Sequence, residues 1–371
     1  MKADNASSIP MFIGAYTEHM SHVDGHADGI AIASFDPRNA ALCAVTTAAS
    51  VRNPAWLTMS SDGTRVYAVS EVDESRHGPT GLVTAFAWDS AEGTLEPLNS
   101  TESGGASPTH LALDPSGRFL VVANFNAGTV CVIGLDSRGA LAERTDLVQH
   151  RGSSLDPIRQ SGPHPHQVVF DPWSDELLIP DLGLDLVMRY RLGEDGTLAT
   201  AGEPIALQAG SGPRHLAFGP SGDTLLVLGE LDSTVTVLRR GNDGFTATQR
   251  ISTLPAGYAS RNLTAGFVAT LDGRLVFASN RGDDSIAVLA WDEAGASGQT
   301  PELRMVQRIY CGGREPRALA LSPDGRHLLV ANQNTDGVVS FVIEGERLRQ
   351  VGAIRAASPA CLLFSDSRLS G

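Results

Sequence analysis

The stretch GPRHLAFGPSGDTLLVLGELDSTVTVL, Gly212 to Leu238, decides the fold. His215 to Phe218 is a short apolar run, Gly219 to Asp223 a turn, Thr224 to Leu228 a second apolar run, and Ser233 to Leu238 alternates in the period-two manner of a half-buried strand. The same order of strand, turn, strand opens at Pro54, Pro108, Pro165, Thr264 and Pro316. The equivalent turn positions Gly63, Gly117, Ser174, Gly222, Gly273 and Gly325 are separated by 54, 57, 48, 51 and 52 residues. A period of about 50 residues, built from short strands punctuated by Gly, Pro and Asp, is what four-stranded propeller blades produce.

Six copies leave two remnants. Met11 to Tyr16 resembles the second strand of the repeat, aligned with Phe119 to Asn124, but nothing precedes it that could be a first strand. Pro359 to Phe364, at the other end, supplies one. The chain is therefore expected to be all-β: a seven-bladed propeller of four-stranded antiparallel blades, with one blade shared between the termini so that the ring has no long open edge. Residues 10–371 are expected to form one domain after a disordered lead of residues 1–9.

Composition narrows the partners. The 371 residues carry a formal charge of −14, and of the 28 basic residues only Lys2 is a lysine. Such a surface repels nucleic acid and anionic membrane. Cys43, Cys131, Cys311 and Cys361 are widely spaced, which argues for free thiols in a reducing compartment rather than a disulfide frame or a zinc site. No apolar run is long enough for a signal peptide or membrane span, so a cytoplasmic protein is expected. The oligomeric state is left open.

Strand geometry sorts the polar residues. The start of a blade's first strand and the end of its second lie at the same face, so the long loops His19–Gly29, Asp73–Gly81 and Arg151–Pro163 gather on one rim. The position after the blade-opening residue holds Ala55, Thr109, His166, Arg214, Ala265 and Arg317; the position eight after the turn residue holds Glu71, Phe125, Leu182, Glu230, Arg281 and Gln333. Both series face the channel on that rim, bringing a His, three Arg and two Glu to one mouth. His166, Arg214, Glu230 and Arg281 are the candidate catalytic residues, and His164, Arg317, Glu71 and Asn124 the candidate substrate-binding ones. Each has a plainer alternative: Glu230, after an apolar run, could be locked to those arginines in a structural ion pair. His164 and His166 lack a third zinc ligand nearby, and Asp181 to Asp185 reads as a turn rather than a calcium loop. No metal or cofactor is expected, and there is neither a phosphate-cradling glycine loop nor a nucleophile elbow.

The runs Arg159 to His166, Gly212 to Leu216, Glu230 to Val235, Ser279 to Ile286 and Glu315 to Arg317 resemble the seven-bladed lactonase family, which includes propeller-type 6-phosphogluconolactonases and fungal carboxy-cis,cis-muconate cyclases. The resemblance covers nearly the whole chain. It implies working residues at His166, Arg214, Arg281 and Glu230. The chain departs from the family pattern at Gly266, where many relatives carry Glu, and at Gly229, where they often carry Asn; a wider or differently shaped mouth is expected from this.

A lactone hydrolase that opens a sugar-type lactone, as 6-phosphogluconolactonases do, follows as the expected function, with a small anionic lactone or carboxylate as the substrate. Glu230 is the expected base, on condition that its arginine neighbours do not hold its pKa too low; Arg214 and Arg281 would take the oxyanion, and His166 would protonate the leaving alkoxide. A muconate-type cycloisomerase would use the same residues in the opposite direction. A non-catalytic interaction platform is the third class, disfavoured by the ionisable channel.

Overall fold

The computed structural model describes residues 8–74, 78–219, 222–242, 244–292 and 302–365. Seven antiparallel blades of four strands form the ring, and in six of them the strands run from inner to outer in sequence order. The shared blade, blade 1, has Pro359–Phe364 innermost, then Ile9–Ala15, Ile30–Asp36 and Ala41–Ala49. Blades 2 to 7 follow, with second strands at Arg65–Ser70, Phe119–Asn124, Leu177–Asp181, Thr224–Gly229, Leu275–Arg281 and His327–Asn332. Blade 4 is the irregular one: its first strand is only Val169–Phe170, and its outer edge is broken into Leu198–Thr200 and Ile205–Ala206. The first strand begins at Ile9, one residue before the expected boundary. Residues 1–7 of the expected lead, Pro220 and Ser221 of the quoted turn, and 75–77 of the Asp73–Gly81 loop lie outside the described residues.

The hydrophobic pattern explains the ring. Second strands such as Phe119–Asn124 and Thr224–Gly229 are buried along their whole length, whereas outer strands such as Arg347–Arg355 are mostly exposed. A sheet buried on both faces must be covered by sheets on both sides. Most of the apolar side chains accordingly gather in seven clusters, each joining two neighbouring blades, as Phe12 and Ile30 of blade 1 pack on Leu57, Val66 and Phe86 of blade 2. The cluster holding Met11, Phe35, Leu329 and Val338 closes blade 7 onto blade 1. Full burial of one such side chain contributes about 1.5–3 kcal/mol, so the core lies between blades and leaves the axis free for polar groups. The repeated turn has a backbone reason too. Gly63, Gly117, Gly222, Gly273 and Gly325 all sit at φ between 66° and 71°, a left-handed conformation that costs glycine nothing.

Blade closure corrects one alignment. Ala15, not Tyr16, pairs with Pro359, as Asn124 pairs with Pro108. Tyr16 therefore occupies the place of Phe125, Glu230 and Arg281, at the channel.

Candidate active site

A bulge aims the first series of residues. Pro213 pairs with Gly229 and His215 with Leu228, so Arg214 is an extra residue with no partner across the ladder. Arg317 stands the same way between Pro316 and Ala318, and Thr109 between Pro108 and His110. His166 follows the Pro165–Asp181 bridge. Such a bulge turns its side chain out of the alternation of the strand, here into the channel. The second series ends the adjoining strand on the same rim.

The two series meet around two carboxylates. Glu230 Oε2 accepts from Arg214 Nε at 2.9 Å and lies 3.1 Å from a terminal nitrogen of Arg281, while its Oε1 accepts from Arg159 at 2.6 Å. Arg281 also donates to the Thr264 carbonyl at 3.0 Å. Glu71 accepts the Tyr16 hydroxyl at 2.7 Å and faces Arg317 at 3.8 Å, and the Arg317 guanidinium lies 4.9 Å over the Tyr16 ring. Four guanidiniums thus face two directly contacting carboxylates, a formal charge of +2 inside a protein of −14. With Glu315, whose charge reaches Arg281 and Arg317, the balance is still positive. A buried cationic mouth of this kind draws anions.

The charges fix the protonation states. Burial by itself would raise the pKa of Glu230, but Arg281, Arg159 and Arg214 bring it down to about 2. Arg214 is pushed below its ordinary value by burial and by Arg281, because it shares Glu230 with two other cations. His166 is held well below the usual imidazole range, first by burial and then by Arg214 and Arg317; burial, Arg317, Arg281 and Arg159 lower His22 to about 3. Both imidazoles are therefore neutral at neutral pH. The His166 Nδ1 is sealed from solvent and has no hydrogen-bond partner among the described residues.

The sequence-predicted residues divide accordingly. His166, Arg214, Glu230, Arg281, Arg317 and Glu71 are brought together at the mouth. His164 stands beside it, stacked on Phe125 at 4.4 Å with its Nδ1 2.9 Å from the Phe125 carbonyl, and its backbone N–H is held by Asp181 at 2.7 Å. Asn124 is placed elsewhere: fully buried, its amide donates to the Ser103 carbonyl and to Thr129 Oγ1, and Asn280 and Asn332 tie their own blades at the same repeat position. It is a blade-binding residue set back from the mouth, because the ladder pairs it with Pro108 while Phe125 takes the exposed end. The role of base for Glu230 fails the condition set above, since three guanidiniums make its carboxylate a poor proton acceptor; the ion-pair alternative describes it better. The wider mouth expected at Gly266 and Gly229 is also corrected. A Cβ on Gly266 would come within 2.8 Å of the Leu319 backbone nitrogen, in the neighbouring blade, and one on Gly229 would meet Asp232 Oδ1 at 2.5 Å. Both glycines answer to packing behind the channel wall.

Several residues escaped the sequence reading. Arg159 stands in the 151–163 loop, which Asp156 and the buried Gln160 fasten: Asp156 Oδ1 accepts the N–H groups of Ile158 and Arg159, and Gln160 Nε2 donates to the Leu182 carbonyl. Trp56, His110 and His215, one residue beyond the bulge position, line the channel below, with the His166 and His215 rings 5.4 Å apart and Trp56 against His110 at 4.3 Å. Their signal was present in the repeat register, one step past the series that was read. Among the described residues no group of three or more His, Cys, Asp or Glu is placed to hold a metal ion.

Comparison with known proteins gives the family. Residues 10–364 match the family model described as Lactonase, 7-bladed beta-propeller. The chain belongs to that lactonase family. It is 29% identical to the 6-phosphogluconolactonase of Bacillus subtilis over 95% of this chain and 97% of that protein. A 6-phosphogluconolactonase from Formosa agariphila is 28% identical over 89% and 91%. Among solved structures, the periplasmic gluconolactonase of Pseudomonas aeruginosa aligns with a TM-score of 0.86 at 31% identity, covering 96% of this lactonase-family chain and 99% of that one. Among the described residues no helix is long and apolar enough to cross a membrane.

Proposed function

We propose that the chain acts as one propeller domain, residues 10–371, that opens an anionic sugar-type lactone by adding water at the channel mouth. Family membership and the relatives' names support the reaction class, and the observation that carries the anionic substrate is the net positive cluster of Arg159, Arg214, Arg281 and Arg317 around two carboxylates. The geometry favours a division of labour different from the one expected from sequence. Glu230, fully ionised and triply bound, aligns the guanidiniums. Neutral His166 is the base.

In this scheme His166 takes a proton from water as the water oxygen bonds to the lactone carbonyl carbon. The carbonyl oxygen becomes an oxyanion held by Arg214 and Arg281, whose fixed forks need no reorganisation. Collapse breaks the bond to the ring oxygen, and the His166 imidazolium returns the proton to that oxygen, giving the hydroxy acid. Burial first, and then Arg214 and Arg317, hold down the basicity of His166; an anionic substrate offsets the arginine part of that depression. His164, Glu71 and Tyr16 would line the substrate side of the mouth. The exposed free thiol of Cys43 favours a cytoplasmic location, although a relative is periplasmic; cell fractionation decides that point. The function is tested by following ring opening of a lactone panel, with muconates in parallel: acceleration by the wild type and its loss in His166→Ala support hydrolysis, and turnover of muconates alone would favour the cyclase direction.

A further inference from the structure

Below the mouth lies a group that the reaction scheme leaves idle, the buried imidazole of His215, 4% exposed. The bulge that turns Arg214 into the channel ends at His215, which pairs with Leu228 and resumes the ladder. Neighbours in sequence thus come to share one space, which the strict alternation of a strand would forbid. Arg214 Nη1 and His215 Nε2 are 3.1 Å apart. A guanidinium only donates, so Nε2 must accept, and the imidazole is neutral with its proton on Nδ1. Burial keeps its pKa well below the usual imidazole range; Arg214, His166 and His110 oppose its protonation further, and Glu230 favours it.

The contact completes a fixed frame around Arg214, whose N–H groups divide unevenly. Nε donates to Glu230 Oε2 at 2.9 Å. Nη1 donates both its hydrogens, one to the Ala265 carbonyl of blade 6 at 2.5 Å and one to His215. Nη2 alone has no protein partner among the described residues, and it is not sealed from solvent. What remains for a substrate oxygen is one terminal nitrogen whose direction is set from three sides: by Glu230, by the backbone of the next blade and by His215. Arg281, by contrast, meets Glu230 and Thr264 through the same terminal nitrogen and is gripped at one point. The His215 ring is itself wedged edge to face, 5.4 Å from His166, 5.8 Å from Trp56 and 6.4 Å from His110.

We propose that His215 is a positioning residue for lactone opening: by accepting from Nη1 it fixes the Arg214 fork with Nη2 aimed at the carbonyl oxygen that becomes the oxyanion. The inference rests on the lactone-hydrolase reading and adds what aligns its oxyanion donor. The fixed fork acts mainly in the transition state, because a donor aligned beforehand needs no reorganisation as the charge develops. A phenyl ring in place of the imidazole fills the space but accepts nothing, which leaves Nη1 to draw the fork elsewhere. A Gln side chain brings a carbonyl oxygen to the place of Nε2.

The test is a steady-state assay of lactone opening with wild type, His215→Phe and His215→Gln, each checked for native fold by circular dichroism. His215→Phe should lose about tenfold to a hundredfold in kcat with KM within about twofold of wild type, and His215→Gln should recover most of that loss. A kcat of His215→Phe within about twofold of wild type, a loss confined to KM, or a Gln variant no better than the Phe variant would each overturn the positioning role. Nitrogen NMR of the wild-type imidazole reads the contact directly, and it decides the matter if His215→Phe fails to fold. Nε2 should be bare and Nδ1 protonated from about pH 8 down to about pH 5; a proton on Nε2, or titration in that range, would overturn the proposal. A wild type that opens no lactone, with that NMR signature present, defeats the lactone-hydrolase reading and not the contact.

Discussion

Replacing Glu230 by Gln separates an aligning carboxylate from a catalytic one. On folding, this carboxyl goes from an ordinary 4.5 to about 2. At about 1.4 kcal/mol per pH unit, that difference contributes about 3 kcal/mol of stability wherever the unfolded carboxylate is ionised. Gln keeps the shape but not the charge, leaving Arg214 and Arg281 buried beside a neutral amide. The variant should therefore lose about 3 kcal/mol at pH 7, the lower end of what breaking a buried ion pair costs. Because the folded pKa is depressed, the contribution is fully present above about pH 4.5 and is lost as pH falls towards about 2. Denaturant unfolding followed by tryptophan fluorescence should show a gap between wild type and variant that is level from pH 8 to 5 and closes below 4.5. The variant should also keep measurable turnover with a raised KM, since His166 is the base. A variant as stable as wild type at pH 7, or a gap undiminished at pH 3, would refute the electrostatic reasoning. Loss of all turnover with unchanged stability and substrate binding would restore Glu230 as the base.

His166→Ala should lower kcat by a factor of ~10²–10⁴ with little change in stability, in a steady-state assay of lactone opening. Because His166 is active when neutral and its pKa is depressed, kcat/KM of the wild type should stay level as pH falls through 6.5, while the acid limb of kcat should lie at higher pH, where bound anion offsets the arginines; coincident limbs near 6.5 in both profiles would contradict this. Asp181→Ala should cost about 3 kcal/mol or more in denaturant unfolding, because it orphans the backbone N–H groups of His164 and Gly183 and the His150 ring. Gly266→Ala should destabilise by roughly 1–3 kcal/mol through its clash with Leu319, where a channel-facing position would tolerate the methyl group. Chelator should leave lactone opening unchanged.

The ring was legible because each blade repeats one pattern of burial, and a pattern that must hold in every copy is hard to misread. The placement of Arg214 and Arg317 was legible for the same reason: the residue after a blade-opening Pro is the bulge residue in copy after copy. Tyr16 was misplaced by one position because Met11 to Tyr16 lacks a turn glycine to anchor its alignment, and only the pairing of Ala15 with Pro359 sets the register. Asn124 was taken for a channel residue because strand order says which end of a blade a residue occupies but not which side of the sheet end it faces. The roles within the site were less accessible still. That Glu230 is a bound counter-ion depends on Arg159 reaching across from blade 4's loop, 71 residues away in sequence, and no local spacing encodes that contact. Gly266 and Gly229 were read as missing side chains at the mouth, whereas the direction of their absent Cβ atoms, into Leu319 and Asp232, exists only in three dimensions.

The most direct measurement is carbon NMR of glucono-1,5-lactone and its 6-phosphate ring-opening in the presence of purified wild type and His166→Ala, against the spontaneous rate. Wild type should open at least one of the two far faster than solvent does, with the His166 variant close to the spontaneous rate although it is folded. Wild-type rates equal to background for both lactones would contradict lactone opening at this mouth, and full activity in the His166 variant would contradict its assigned base.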